Sequence, residues 1–383
     1  MKNRAKLQMI DIIKKTERRK MLKTLNWYIA KNFIVTFLTA IGVLTFGMTG
    51  ARLIKVFEYI SQGVNSGAAF KFLLYVLPVV LSYSIPWAAL VSIMLVFGRL
   101  SADNEITAMR ACGVSILQIV APLIAVAFAL SCICLYIQLE VAPVNLAKSK
   151  EIVKQVFLDS PLALFKPGIP MQFDDLKVLI DSKDEDGTIR GVQIYRMEGN
   201  DVKQDISASA GRIRVDASVQ KLFIELKDAV IIDYSKTDQQ RPTAGLCSIE
   251  IEYGKKYNQI SVRKRDKFEG YKELYARIVI ARRLGDKRYT SQLETELNQR
   301  VAMGLSPIAF LLLGLPMAIR TSRRETSVGL FISVLLAGIY FGAILGAVVL
   351  SSKYQLYPQY LVWIAPILYQ VFGAYYIFHI ARR

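Results

Sequence analysis

Six long apolar runs decide what this chain can fold into. Residues 72–97, 114–139, 301–319, 328–350 and 360–380 reach or approach the length of about 20 residues that crosses a bilayer, with few charges among them. A sixth run, about 25–50, is interrupted only by Lys31, which lies near its start and can snorkel to the near surface. A helix in a soluble protein is rarely apolar all round for so long, because one of its faces meets water. The runs predict six transmembrane helices, in keeping with a chain of 383 residues that is 53% hydrophobic.

The charges flanking the runs orient them. The first 24 residues carry nine Lys or Arg against Asp11 and Glu17, a basic flank with no cleavage site before the first run. The excess of cations on the cytoplasmic side of membrane proteins puts this end in the cytoplasm. Six crossings return the C-terminus to the same side, where Arg382 and Arg383 agree, as do Arg320, Arg323 and Arg324 between the fourth and fifth runs. The short loop at 351–358 holds only Lys353, as expected for the outer face.

The net charge of +18 raises the question of nucleic acid, and its distribution answers it. Between Val141 and Leu297 there are 27 basic and 24 acidic residues, nearly balanced, while the remaining +15 lies mostly at membrane edges. Topology and anionic headgroups account for that pattern, and no nucleic-acid partner is expected. No metal-ligand spacing occurs and no cofactor is expected; Cys247 alone falls in the outer region, so no disulfide is available there.

From about 142 to 262 the pattern changes from helical to period two. "LKVLIDS", "GVQIYRM", "GRIRVDA", "KLFIELKDAVIIDY" and "CSIEIEY" alternate or cluster β-branched residues, separated by turn signals such as "KDEDGT" and "MEGND". Their spacing predicts an antiparallel sandwich, jelly roll or open barrel, inserted outside the membrane between the third and fourth spans. The expected fold class is thus membrane α-helical, six transmembrane helices in a 3+3 arrangement, with an inserted extracytoplasmic all-β jelly-roll-like domain. Its expected boundaries are a basic extension 1–24, spans one to three in 25–141, a β domain 142–268, a helical connector 269–297, and spans four to six in 298–383. Ile194, Ile213, Phe223, Ile224 and Val230 are expected to face inward, as a closed core or as a slot for apolar chains.

The chemistry of an energy source is missing from this chain. No Gly-Lys-Ser/Thr ending completes a P-loop, no Gly-x-Ser-x-Gly elbow or zinc motif occurs, and acids within the spans are confined to Glu58 and Glu140 near span ends. No catalytic residue is predicted; work against resistance would draw energy from a partner. The segment "GRLSADNEITAMRACGVS" between two apolar runs supplies a place to receive it. It predicts a short helix, about 101–112, capped by Ser101 or Asp103, with Glu105 early, Arg110 late, and Gly113 ending it. A stiff cytoplasmic helix of this kind suits a membrane subunit pushed by a soluble ATPase. Asn104, Glu105 and Arg110 supply polar contacts, Glu105 toward a basic groove. Ile106 and Met109, with Ala102, form an apolar face. A surface helix resting on headgroups explains the same residues.

Taken together, the sequence resembles the lipopolysaccharide-export permease family, of the LptF/LptG (YjgP/YjgQ) type, over nearly the whole chain from Met21. "GRLSADNEITAMRACGVS" resembles the family's cytoplasmic coupling helix. "LNQRVAMGLSPIAFLLLGLPMAIR" resembles its approach to the fourth span, and "ARLIKVFEYI" the outer end of its first. The resemblance implies pairing with a second homologous permease and a cytoplasmic ATPase dimer. It also implies an inner-membrane location, a periplasmic β domain, a periplasmic jelly-roll adaptor protein, and lipopolysaccharide as cargo passed on to a bridge. Lys55 matches a family position associated with a lateral gate. With Arg52, three residues away on the same helical face, it would contact the phosphates of the lipid; snorkelling at a helix end explains the pair equally well. Residues 1–20 depart from the family pattern, either as an amphipathic surface helix or because Met21 is the true start. A mechanotransmission or scaffold permease for another envelope lipid or lipoprotein is the alternative function.

Overall fold

The computed structural model describes residues 2–61, 66–159, 165, 167–173, 175–184, 186–198, 201–216, 221–234, 243–252, 269–320 and 326–382. They divide into two compact units. One comprises Met1–Ala51, Val76–Leu146 and Asp266–Arg383; the other comprises Arg52–Tyr75 and Ala147–Arg265.

The first unit is helical. Helix α1, Lys2–Ser61, runs 60 residues without a proline, and residues 2–22 continue it with no break. It is followed by α2 (Ser66–Ala102), the short α3 (Glu105–Ala111) and α4 (Ile116–Tyr136), which passes through a π-helical turn, Ile137–Val141, into α5 (Ala142–Asp159). After the sheet come α6 (Tyr271–Leu284), α7 (Lys287–Gly304), α8 (Ser306–Arg320) and α9 (Thr326–Val349). Two 3-10 turns, Leu350–Ser352 and Tyr354–Leu356, then lead to α10 (Pro358–Leu361) and α11 (Ile364–Arg382). Among the described residues five helical stretches are long and apolar enough to cross a membrane, and a sixth span results if α7 and α8, bent by 47°, count as one. Of the most apolar window of each, 72% is buried in α2 but only 11% in α1, so α2 forms the centre of this bundle and α1 lies against its outside.

The expected straight fourth span is broken, and the cause is chemical. Pro307 has no N–H to give to Met303, four residues back, and its ring crowds that carbonyl, which favours a break just before it. The freed Met303 carbonyl accepts instead from the Ser306 hydroxyl, and the Ile308 N–H donates to Ser131 Oγ of α4 at 3.3 Å. The same logic explains the π turn. Pro86 leaves the Ser82 carbonyl without its helical donor, and the Gln138 amide, aimed by the extra residue of the π turn, reaches it at 3.4 Å. Both repairs keep proline-broken backbone satisfied where lipid supplies no hydrogen bond.

Among its described residues the second unit carries one six-stranded sheet. Strands β1 (Met171–Phe173), β2 (Leu176–Lys183), β3 (Thr188–Glu198), β4 (Asp201–Asp216), β5 (Lys221–Asp233) and β6 (Thr243–Glu252) pair antiparallel with their sequence neighbours in that order. Among the described strands every pairing is sequential, so they form an antiparallel meander, in keeping with an inserted all-β domain. Period-two structure begins later than 142, because "APVNLAKSKEIVKQVFLD" continues as helix to Asp159. Val178, Ile180, Val192, Leu222, Leu226 and Ile251 are among the side chains closing the core on one face.

A transverse crease crosses this sheet. On β3 the inward residues are Val192 and Ile194 on one side of Gly191 but Ile189 on the other. On β5 they are Leu222, Ile224 and Leu226 before Asp228, then Ala229 after it. Gly191 has φ +62° and Asp228 φ +52°, left-handed conformations that advance the pleat by one residue. A Cβ on Gly191 would lie 2.0 Å from Asp181 Oδ2, so glycine is needed there for space as well as for backbone freedom. The register places Ser209 of β4 opposite both, so three adjacent strands bend along one line while the core stays on one face.

Candidate coupling site and lipid-contact residues

Helix α3 begins later than its sequence suggests. Ser101 and Asp103 do not cap it: α2 persists to Ala102, and Asn104, in the left-handed region at φ +58°, precedes Glu105 with no side-chain cap. The Ser101 hydroxyl donates 2.9 Å to the Ile319 carbonyl of α8, tying the end of α2 to the end of that helix. The far end of α3 follows its sequence closely. Gly113, at φ +82°, donates to the Arg110 carbonyl (2.9 Å), and Val114 N–H reaches back to Met109 (3.1 Å), the paired bonds of a Schellman stop. Ser115 then opens α4 with a reciprocal capping box, its N–H to Gln118 Oε1 at 3.1 Å and Gln118 N–H to its hydroxyl at 3.3 Å. These bonds hold the turn between α3 and α4.

The apolar side of α3 faces its own bundle. Ile106 is 5% exposed within the helical core and Met109 packs against that core, so neither forms the outward apolar face expected of them. What α3 leaves exposed is Thr107, Ala108, Arg110 and Ala111, with Asn104 exposed just before it. Glu105, half-buried, accepts a hydrogen bond from the Tyr28 hydroxyl of α1 (3.1 Å to Oε2). That tie joins residues 77 apart in sequence and has no periodic signature; the only hint is an aromatic pair, Trp27–Tyr28, one turn before Lys31. Among the described residues, helix α3 is thus held at three places: to α1 through Glu105, to the core through Ile106, and to α4 through the turn at Gly113–Ser115.

Of the two expected lipid-contact cations, Arg52 is an exposed side chain on α1, while the side chain of Lys55 lies outside the described residues. In the sheet, Ile194, Ile213 and Ile224 are buried in the core, with Ile213 directly opposite Ile224 on the neighbouring strand. Phe223 and Val230 are not inward. Phe223 alternates with Ile224 and stacks under the Arg214 guanidinium (5.2 Å) on the other face, and the left-handed residue Asp228 shifts Val230 out of phase with Ile224 and Leu226.

From Trp27 to His379 the sequence matches the family model of the lipopolysaccharide export system permease LptF/LptG (residues 27–379). The chain belongs to the LptF/LptG permease family. It is therefore a member of a family of membrane permeases. Among curated proteins, the Uncharacterized protein RP871 of Rickettsia prowazekii (strain Madrid E) is 20% identical over 192 residues, 48% of this chain and 53% of that protein. The chain thus spans about half the length of that relative. The LptF/LptG match includes α3, the bent α7–α8 pair and the whole sheet, so both units fall within the family.

Proposed function

We propose that this LptF/LptG member is the permease half of an ABC-type exporter that takes lipopolysaccharide from the inner membrane and passes it to a periplasmic bridge. Its spans are read as three on each side of the inserted sheet, with both termini and α3 cytoplasmic and the sheet periplasmic. A second homologous permease completes the membrane part, a soluble ATPase dimer engages α3, and a periplasmic adaptor receives the lipid. The observation that carries this reading is the fixation of α3 to α1, to the core through Ile106 and to α4, since a push on so braced a helix moves the bundle instead of bending a loop. The exposed Arg110 and the Glu105 carboxylate provide the polar contacts for the ATPase.

Two substitutions separate the roles of Glu105. In the reconstituted complex, Glu105→Ala removes both the carboxylate and the Tyr28 tie, whereas Tyr28→Phe removes the tie alone. Loss of a charge-assisted contact predicts ATPase association about tenfold weaker, or more, in Glu105→Ala and unchanged in Tyr28→Phe, read by co-purification and by coupled lipid transport. A fully assembled and fully active Glu105→Ala complex removes the coupling role. For the gate, Lys55→Glu is expected to abolish most of the stimulation of ATP hydrolysis by lipid; an unchanged stimulated rate withdraws Lys55 from the lipid path.

A further inference from the structure

At the end of the helical unit opposite α3, a cleft of about 460 Å³ opens between the start of α7 and the turn leading to α10. Its volume falls among those of small-molecule sites. Its walls are held in place. Ser291, 5% exposed, hydrogen-bonds Gln359 Oε1 at 3.3 Å, and Trp363 Nε1 donates 3.0 Å to Asn298 Oδ1, pinning α7 to the α10–α11 segment. Asp286 caps α7 by accepting from the Tyr289 N–H at 3.0 Å.

The polar groups around this cleft are only partly used. Arg282 gives both its bonds, 2.9 and 2.6 Å, to Oε1 of Glu294, and Glu294 Oε2 has no partner among the described residues. Gln359 spends its oxygen on Ser291 and keeps its amide N–H₂. Lys287 makes no ion pair among the described residues. A carboxylate oxygen, an amide donor and an ammonium are thus carried by residues that line a space walled by Tyr354 and Tyr357.

Tyr357 decides what the space is for. It has φ +47° and ψ +55°, left-handed backbone directly before Pro358, where glycine or asparagine would fit more cheaply. Tyrosines that merely anchor a membrane interface need no such backbone. Aromatic faces attract the positively polarised C–H face of a sugar ring, while its hydroxyls need a donor and an acceptor side by side. A spare ammonium adds preference for a negative substituent.

We propose that this cleft binds a pyranose carrying an anionic group. Resting on the export reading above, its natural occupant is an acidic sugar of the transported lipid's saccharide beyond the phosphorylated glucosamine pair of lipid A, and the cleft then distinguishes cargo by that sugar. Binding to the reconstituted permease complex tests this with three probes: lipopolysaccharide with its full saccharide, lipid A stripped of that saccharide, and the deacylated oligosaccharide. Tyr357→Gly is the informative variant, because it removes the ring while relaxing the backbone, and its thermal midpoint is expected to hold or rise. The expected result is a preference for saccharide-bearing over stripped lipid that falls about tenfold in Tyr357→Gly and in Lys287→Gln, with a parallel loss for the free oligosaccharide. An unaltered preference in both variants, or equal loss for both lipids, overturns the cleft. Should the wild-type complex bind neither lipid, the export reading fails; oligosaccharide binding lost in Tyr357→Gly then upholds the cleft for a free acidic sugar, and its persistence rejects it.

Discussion

A Gly373→Val variant is expected to lose the packed helical unit. Gly373 of α11 lies against the backbone of α8: a Cβ built there would stand 2.4 Å from the Leu312 carbonyl carbon and 2.7 Å from the Leu313 nitrogen. Neither neighbour is a side chain that can swing aside, so the two helices must part. Small residues at such crossings let membrane helices approach, where packing replaces the hydrophobic drive that lipid cannot provide. Parting α8 from α11 also disturbs the ring cluster between them, in which Phe310 meets Tyr340 edge-on at 4.7 Å and Tyr369 at 6.1 Å. Tyr369 further donates to the Leu336 carbonyl of α9 at 2.7 Å. The cost is put at about 3 kcal/mol or more. The matched control is Gly342→Val on α9, where nothing lies within 4 Å of the added carbon and a change within about 0.5 kcal/mol is expected. Thermal unfolding of the purified, detergent-solubilised protein compares them, and equal midpoints would refute the close crossing.

The second large effect is at Arg300. Its side chain is 5% exposed, its Nε reaches Glu296 Oε1 at 3.2 Å one turn back, and Nη1 donates 2.7 Å to the Glu269 carbonyl. Arg300→Met leaves the largely buried Glu296 carboxylate with its charge uncompensated, which costs about 3–5 kcal/mol. The double variant with Glu296→Leu replaces the pair by apolar groups of similar bulk, and should recover much of that loss, since desolvation already consumed most of what the pair gained. The double-variant cycle separates two accounts. A stable Arg300→Met protein would mean that water reaches Glu296; a double variant as unstable as the single one would mean that Arg300 matters for the Glu269 carbonyl instead.

These two sites differ in how plainly the sequence announces them. The apolar runs declare themselves because lipid tolerates few polar side chains, and the strands do so because a one-sided sheet must alternate. Gly113 likewise marks the end of α3, since a left-handed stop favours glycine. Prediction fails where the chain leaves regular geometry. Pro307 splits the fourth span although its composition reads as continuous, and Asp228, an ordinary β-strand neighbour in sequence, turns Val230 to the opposite side from Ile224. The start of α3 is misplaced because Ser101 looks like a cap but spends its hydroxyl on Ile319, a partner 218 residues away. Contacts such as Tyr28–Glu105 and Ser291–Gln359 are invisible for the same reason: tertiary packing chooses the partner, and no local pattern records the choice.

The Tyr28–Glu105 bond also sets a limit on transmitted motion. A hydroxyl–carboxylate bond of 3.1 Å weakens steeply once stretched by about an ångström, and in an exposed setting it holds with only about 1–3 kcal/mol. A short stroke of α3 therefore pulls on the near end of the first helix, while a longer one parts the bond. Past that point the helix is still gripped by its buried Ile29, Phe33 and Phe37 and by Thr45 on Ser84 at 2.9 Å, so the joint acts as a fuse at one end of a helix that stays seated along the rest.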